Sequence, residues 1–377
     1  MIIMKKELEL YIHIPFCIKK CEYCDFLSGP ASVQAQKDYV EAVCREIQAV
    51  SEFEIYEIVS VFIGGGTPSV LPGLWISKII QKVREKFSIK EDAEITIEAN
   101  PGTVTLEKLM EYRKAGINRI SFGCQSTDNR ELKMLGRIHT WEDFLQSYTL
   151  AREAGFTNIN VDLMSGLPGQ TEESWERSLE KVAQLGPEHI SAYSLIIEEG
   201  TPFAEMKLDL PDEDAERKMY ENTHKILEAY GFSQYEISNY AKKGKECKHN
   251  IGYWIRREYL GIGLGSASLL DNQRFSNTID LKIYLENSSN SDAIRKRPQK
   301  LSSNEQMEEY MYLGLRMLQG VSASVFEEIF GEPLLAVYGE VIKKYVDLGF
   351  LVWNKEYLHF TRKGISVSNP ILAEFLL

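Results

Sequence analysis

The sequence contains no apolar run approaching the ~20 residues of a membrane-spanning helix. Met1 to Leu10 lead into no apolar core or cleavage-like site, so a secretory signal is not expected either. Basic charge is in deficit: 43 Lys and Arg stand against 55 Asp and Glu, a formal net charge of −12. The basic residues form pairs, such as Lys19-Lys20 and Arg256-Arg257, rather than patches. That excludes the electrostatic footprint of a nucleic-acid binder and the basic cluster that an anionic lipid surface attracts. Cysteine is scarce as well. Six in 377 residues make no disulfide framework, and three of them, Cys17, Cys21 and Cys24, fall within eight positions. In a cytosolic protein such crowding favours a metal or cluster over a staple, and the compartment reads as cytoplasmic. There is no internal repeat.

What is present is material for a large core, with 44% hydrophobic and 26% charged residues. Up to about residue 200, strand-like runs (Leu10–Ile14, Ile58–Ile63, Ala93–Glu98, Arg119–Phe122, Asn158–Leu163, His189–Leu195) alternate with helical stretches (Gln36–Val50, Leu74–Phe87, Leu106–Ala115, Trp141–Ala154, Glu172–Leu185). Strands separated by helices imply parallel pairing with right-handed crossovers, in a TIM-like β/α barrel, full or partial, or a doubly wound sheet. The polar and glycine-bearing motifs fall just after successive strands, at Cys17 onward, Gly64–Thr67, Glu98–Pro101, Gly123–Ser126 and Asp162–Pro168. Chemistry at the C-terminal ends of many strands is the barrel arrangement, whereas a doubly wound sheet concentrates its site at one switch point. The expected fold is therefore an α/β, TIM-like partial barrel.

Further on, Pro211–Tyr230 reads as an acidic helix, Tyr235–Tyr240 as a strand, and Gly261–Gly265, within the glycine-rich Tyr259–Ser268, as a tight connection. Polar stretches at Asn287–Asp292 and Arg295–Lys300 look like a linker. Helical patterns over Asn304–Leu318, Ser324–Phe330 and Leu335–Asp347, then short strands near Phe350–Val352 and His359–Phe360, suggest a winged-helix-like C-terminal α+β domain. The acidic balance gives that domain a packing or partner role. The expected divisions are 1–235 for the barrel, 236–300 for a connecting segment and 301–377 for the C-terminal domain.

The strongest motif is Tyr-Ile-His-Ile-Pro-Phe-Cys17-x-x-x-Cys21-x-x-Cys24. Thiolates hold iron–sulfur clusters, and a cubane ordinarily takes four cysteines. Three leave one iron open to a ligand, as catalytic zinc sites keep a position open. Spacing alone leaves a zinc site completed by a distant residue, or unrelated core cysteines, as alternatives. The placement directly after the first strand favours an open [4Fe–4S] cluster. Cys44 sits in a helical pattern and reads as core, Cys124 as packing near the barrel mouth, and Cys247 as an incidental thiol.

With these motifs the sequence resembles the radical-SAM superfamily, in the group containing oxygen-independent coproporphyrinogen oxidases and HemW-type haem chaperones, over essentially the whole chain. The resemblance implies a cluster on Cys17, Cys21 and Cys24, with S-adenosylmethionine at its open iron. It places Tyr23 beside the adenine, and Gly65, Gly66 and Thr67 of Gly64-Gly65-Gly66-Thr67-Pro68 at the methionine end. It makes Glu98, Gln125 and Asp162 polar contacts to that cofactor, and Tyr11 a further one. Arg137 would pair with the methionine carboxylate, a task suited to guanidinium geometry.

Two departures separate the branches. The oxidases carry a fourth cysteine two residues beyond the third, where this chain has Phe26. They also have a long segment ahead of the cluster, whereas the first cysteine here is residue 17, and a site generating a reactive radical needs shielding from water. Downstream, His249-Asn250-Ile251-Gly252-Tyr253-Trp254 matches the HNxxYW signature of HemW-type proteins. Histidine is a usual axial ligand of haem iron, so the resemblance implies haem as a third ligand, with His249 as its contact. The function implied is a haem chaperone passing haem to an acceptor protein, with a flavodoxin or ferredoxin as a possible electron donor. Coproporphyrinogen III oxidation is the rival enzyme reading and a structural zinc protein the non-redox one. Whether reductive cleavage of S-adenosylmethionine takes part is open on this resemblance.

Overall fold

A computed structural model describes residues 5–51 and 53–377. Six strands run in chain order: β1 (Lys6–Ile14), β2 (Tyr56–Gly65), β3 (Ile89–Ala99), β4 (Arg119–Gln125), β5 (Ile159–Ser165) and β6 (His189–Ser194). Each pairs in parallel with the next. The order never reverses, so there is no switch point, and the architecture is of the barrel kind. It is a partial barrel, because β1 and β6 do not pair with each other. The helices between them are α1 (Val33–Ala49), α2 (Gly73–Lys86), α3 (Leu106–Ala115), α4 (Asn129–Met134), α5 (Trp141–Glu153) and α6 (Glu172–Gln184). Their starts follow from local chemistry. Thr140 and Asp143 form a reciprocal capping box on α5, and Thr105 caps α3, which ends on a left-handed Gly116. Such caps contribute about 1 kcal/mol each.

Alternation along the strands assigns two faces. Leu8, Leu10, Ile12, Val61, Ile63, Ile95, Ile97, Ile120, Phe122, Val161 and Leu163 are buried in one core with the helices, each such side chain contributing about 1.5–3 kcal/mol. The intervening residues (Glu9, Ser60, Glu94, Glu98, Arg119, Ser121, Asn160, Asp162, His189) are polar and also lie out of solvent. A buried polar lining must be satisfied by its own hydrogen bonds or by a ligand.

After β6, α7 (Pro202–Glu205) and α8 (Glu213–Ala229) lead to β7 (Ser233–Gln234) and β8 (Asn239–Ala241). Of the run Tyr235–Tyr240, expected as one strand, Tyr235–Ser238 form the turn between these two and Asn239 and Tyr240 belong to β8, which pairs antiparallel with β7. Residues 236–300 then supply further strands to the same twelve-stranded sheet. Helix α9 (Lys248–Trp254) is followed by β9 (Tyr259–Ile262), which pairs parallel with β1, so part of the expected glycine-rich connection is strand. The expected linker begins where a helix, Leu281–Asn287, ends, and it contains a short helix at Ser291–Ile294 and a strand at Gln299–Lys300. Glu46 of α1 ties this part down, accepting hydrogen bonds from Gly263 N, Asn277 Nδ2 and Tyr284 Oη at 2.9, 2.7 and 2.6 Å. The C-terminal unit has its own core. Its helices Ser303–Gly314, Ala323–Phe330 and Leu334–Asp347 pack on a three-stranded antiparallel sheet whose hairpin joins Leu351–Trp353 to Tyr357–Phe360, a winged-helix-like arrangement.

Candidate functional site

The C-terminal ends of the parallel strands surround a cavity of about 400 Å³. The cysteine loop covers one side. Phe16 O accepts from Thr67 N at 2.7 Å, Cys17 N donates to Gly29 O at 3.0 Å, and Glu22 N donates to Leu135 O at 3.1 Å. The loop is thus fastened to the β2 turn and to the residue that ends α4. All three cysteines are free and partly exposed on the cavity wall. Burial pushes the Cys24 thiol pKa above its ordinary value, and a metal held there would favour its thiolate.

Beside the loop, Gly65 has φ +113°, and a Cβ there would overlap the imidazole of His13; one on Gly66 would meet Phe16 O at 2.7 Å. Both positions exclude a side chain because the neighbouring chain packs directly against their backbone, which lines the cavity. Gln125, at the end of β4, has φ +68°, uncommon for a residue with a side chain. Its Oε1 accepts from Tyr193 Oη at 2.8 Å. Such strain persists where the surroundings over-determine it, often at ligand sites.

The floor is acidic. Glu98 Oε2 accepts from Gly65 N at 3.0 Å. Burial, and then the neighbouring Asp162, push its pKa up to about 8. Asp162 is also raised by burial, although Asn160 Nδ2 and Ser121 Oγ donate to it at 2.7 and 3.1 Å. Burial is the main cause of both shifts, Arg119 acts against it, and a further positive charge in the cavity would favour the ionised carboxylates. Lys19, Lys20 and Arg137 are the cations of the wall; Arg137 Nη2 donates to Asn100 Oδ1 at 2.7 Å and Gly123 O at 2.6 Å, with Nη1 3.5 Å from Cys21 Sγ. Burial works against its charge, but Tyr23 and Cys21 beside it hold its pKa above the ordinary value. Tyr23 packs on Phe203, ring centroids 6.4 Å apart.

Of the residues expected here, Cys17, Cys21, Cys24, Tyr23, Gly65, Gly66, Thr67, Glu98, Gln125, Arg137 and Asp162 all line this one cavity. Tyr11 does not. It pairs with Phe62, three residues before Gly65, about 10 Å down the strand, and its Oη bonds His13 Nδ1 at 3.0 Å. Asn100 and Tyr193 line the cavity too. The signal for both was position, just beyond β3 and near the end of β6.

His249 lies elsewhere. α9 closes the opposite, N-terminal end of the strands, and Glu94 caps it, accepting from Lys248 N and His249 N at 3.2 and 3.4 Å. His249 is 1% exposed. Its Nδ1 meets Ser60 Oγ at 2.8 Å, its Nε2 meets Tyr253 Oη at 3.2 Å, and its ring stacks on Phe62 at 5.1 Å. Burial, with Arg119 and Arg257 nearby, depresses its pKa to about 3. It is a neutral imidazole with both nitrogens engaged. Cys247, expected as incidental, is buried beside it and donates to Glu94 Oε1 at 3.3 Å.

The thiols, the glycine cradle and the paired carboxylates fit a sulfur-bridged metal cluster carrying a cationic small molecule. Among the described residues, no three His, Cys, Asp or Glu side chains converge on a point for a single ion. Thiolates that each take a different iron need no such point. No helix among the described residues is long and apolar enough to cross a membrane.

Residues 11–182 match the Radical SAM superfamily and residues 301–367 the HemN C-terminal domain. The chain is 36% identical to "Heme chaperone HemW" of Bacillus subtilis, over 97% of this chain and 98% of that one. It is 37% identical to the protein of the same name from Lactococcus lactis, over 99% and 98%. Among solved structures, coproporphyrinogen III oxidase (HemN) from Escherichia coli, a radical SAM enzyme, superposes with a TM-score of 0.86 at 26% identity, covering 99% of this chain and 90% of that one. The superfamily implies a [4Fe–4S] cluster and S-adenosylmethionine, and by near full-length identity the chain belongs to the HemW family within it.

Proposed function

We propose that this chain is a cytoplasmic haem chaperone that binds one [4Fe–4S] cluster and S-adenosylmethionine and passes haem to an acceptor protein. The observation that carries the reading is the near full-length likeness to proteins named heme chaperones. Phe26, 62% exposed at the cavity wall, supports it, because the oxidase pattern needs a cysteine at that position.

On this reading Cys17, Cys21 and Cys24 hold the cluster, which supplies one-electron chemistry when bound. Tyr23 covers the adenine, Gly65, Gly66 and Thr67 leave room for the methionine end, and Arg137 pairs with its carboxylate. Glu98 and Asp162, with Gln125, meet the polar groups of the same molecule, and their ionisation offsets its positive charge. The haem contact expected of His249 requires α9 to leave the barrel end, breaking the bond of His249 to Ser60, and Nε2 to be released from Tyr253 of the same helix.

One anaerobic preparation tests the proposal. Reconstituted protein is expected to contain iron and sulfide, to bind haem in a titration, and to leave coproporphyrinogen III unconverted. Steady production of protoporphyrinogen would establish the oxidase instead, and zinc without iron or sulfide would remove the cluster.

A further inference from the structure

Beneath the cavity a line of hydrogen bonds runs through the barrel interior and ends on Asp162. Asn160 and Asp162 stand two residues apart on β5, so their side chains share the inner face. His189, the first residue of β6, lies opposite Asn160 in the register of the sheet. It is fully buried. Its Nδ1 is 2.5 Å from Asn160 Oδ1, and its Nε2 is 2.8 Å from the hydroxyl of Tyr235, on the turn between β7 and β8. Asn160 Nδ2 donates to Asp162 Oδ1 and to Ser121 Oγ, both at 2.7 Å. Ser121 Oγ passes its own hydrogen to Asp162 Oδ2 at 3.1 Å.

The partners fix the direction of every bond. Burial, with Arg119 nearby, holds the His189 pKa well below its ordinary value, so the ring is neutral and carries one hydrogen. Asn160 Oδ1 has no hydrogen to give and already accepts from Ser191 Oγ at 3.2 Å, so Nδ1 is the donor. Nε2 is then the acceptor. Tyr235 donates to it, while the Tyr235 oxygen accepts from Cys247 N at 3.3 Å. Each donor from Tyr235 to Asn160 therefore points towards Asp162. With the Asn160 amide reversed, a carbonyl would face Asp162 Oδ1, acceptor against acceptor, and the protonated acid would be favoured.

We propose that His189 is a positioning residue for S-adenosylmethionine, acting through Asn160 on Asp162. The Nδ1 hydrogen holds the Asn160 amide with its nitrogen towards Asp162, so that Asp162 meets the positively charged cofactor as a carboxylate. Asp162 lines the cavity, and His189, Tyr235 and Asn160 stand behind it. The inference rests on the cofactor reading above and adds to it the residues that prepare the contact.

Two measurements on the full-length chain test it. Nitrogen NMR of isotope-labelled histidine, with the His189 signal identified by its loss in His189→Asn, is expected to show the Nδ1–H tautomer; an Nε2–H tautomer would overturn the proposal. Equilibrium binding of S-adenosylmethionine is measured on anaerobically reconstituted protein. His189→Phe is expected to weaken it by about tenfold or more at unchanged iron content. His189→Asn sets an amide nitrogen near the Nδ1 position and should recover most of that loss, as a merely structural residue would not. In an Asp162→Asn background, His189→Phe should have no further effect. Parent affinity in His189→Phe, equal losses in His189→Phe and His189→Asn, or additivity with Asp162→Asn would overturn the role of His189 and leave the cofactor reading standing. A parent protein that holds its cluster and binds no S-adenosylmethionine would overturn both.

Discussion

Gly252, an unspecified position of the HNxxYW signature, is where α9 touches β1, and a methyl there would overlap the Glu9 carboxylate. Glu9 is fully buried, paired with Arg257 Nη1 at 3.2 Å, and burial pushes its pKa up to about 8. Two effects oppose each other in Gly252→Ala. Alanine in a helix gains about 0.5–1 kcal/mol over glycine, whereas overpacking a close contact costs about 1–3 kcal/mol. Glu9 sits on a strand and has little freedom to retreat, so the clash wins and a net loss of about 1–2 kcal/mol is expected. Urea unfolding of Gly252→Ala, Glu9→Ala and the double variant measures it. In the Glu9→Ala background the obstacle is gone, and Gly252→Ala should become neutral or stabilising, a coupling a double-mutant cycle isolates. A single variant as stable as the parent, or additive effects in the cycle, would refute the close approach.

Three further outcomes follow from the sites. Glu98, with a pKa near 8 in the free cavity, is largely protonated at pH 6.5, and a bound cation favours its carboxylate. S-adenosylmethionine affinity should thus rise with pH up to about 8, and more steeply than in Glu98→Gln, by at most about tenfold per pH unit; equal slopes in equilibrium titrations would exclude Glu98. Arg137→Lys cannot keep both the Asn100 and Gly123 bonds. It should weaken S-adenosylmethionine binding by about 1.5–3 kcal/mol at unchanged iron content, and an unaltered Kd would count against Arg137. His249→Ala orphans Ser60 and Tyr253 and should cost about 1–3 kcal/mol in chemical denaturation. Lost haem affinity at full stability would restore the ligand role to His249.

Strand order and the placement of motifs were legible because long periodic runs specify their element type, and strand ends specify depth. Gly65 and Gln125 terminate their strands and Glu98 stands one residue before the end of its own, and so they meet. Tyr11 shows where that logic stops. Its strand was evident, but its depth depends on register against Phe62, which pairing sets and sequence does not print. The strand at Tyr259–Ile262 was hidden by length, because four residues ending in glycine turns look like a connection until β1 supplies a partner. The polar clasp around His249 was illegible for another reason. Glu9, Ser60, Glu94 and Arg257 come from separate elements, and each alone reads as an ordinary strand or loop residue.

The two ends of the partial barrel nonetheless share their parts. β3 carries Glu94 into the clasp that caps α9 and Glu98 into the acidic floor of the cavity, four residues or about 13 Å apart. β1 likewise holds Glu9 against α9 and leads into the cysteine loop. Both strands are buried on both faces, where close packing transmits displacement rather than absorbing it. A signature helix at the closed end is therefore mechanically joined to the open end. The histidine of the signature, bonded to Ser60 and stacked on Phe62, therefore belongs first to the architecture and only by test to haem.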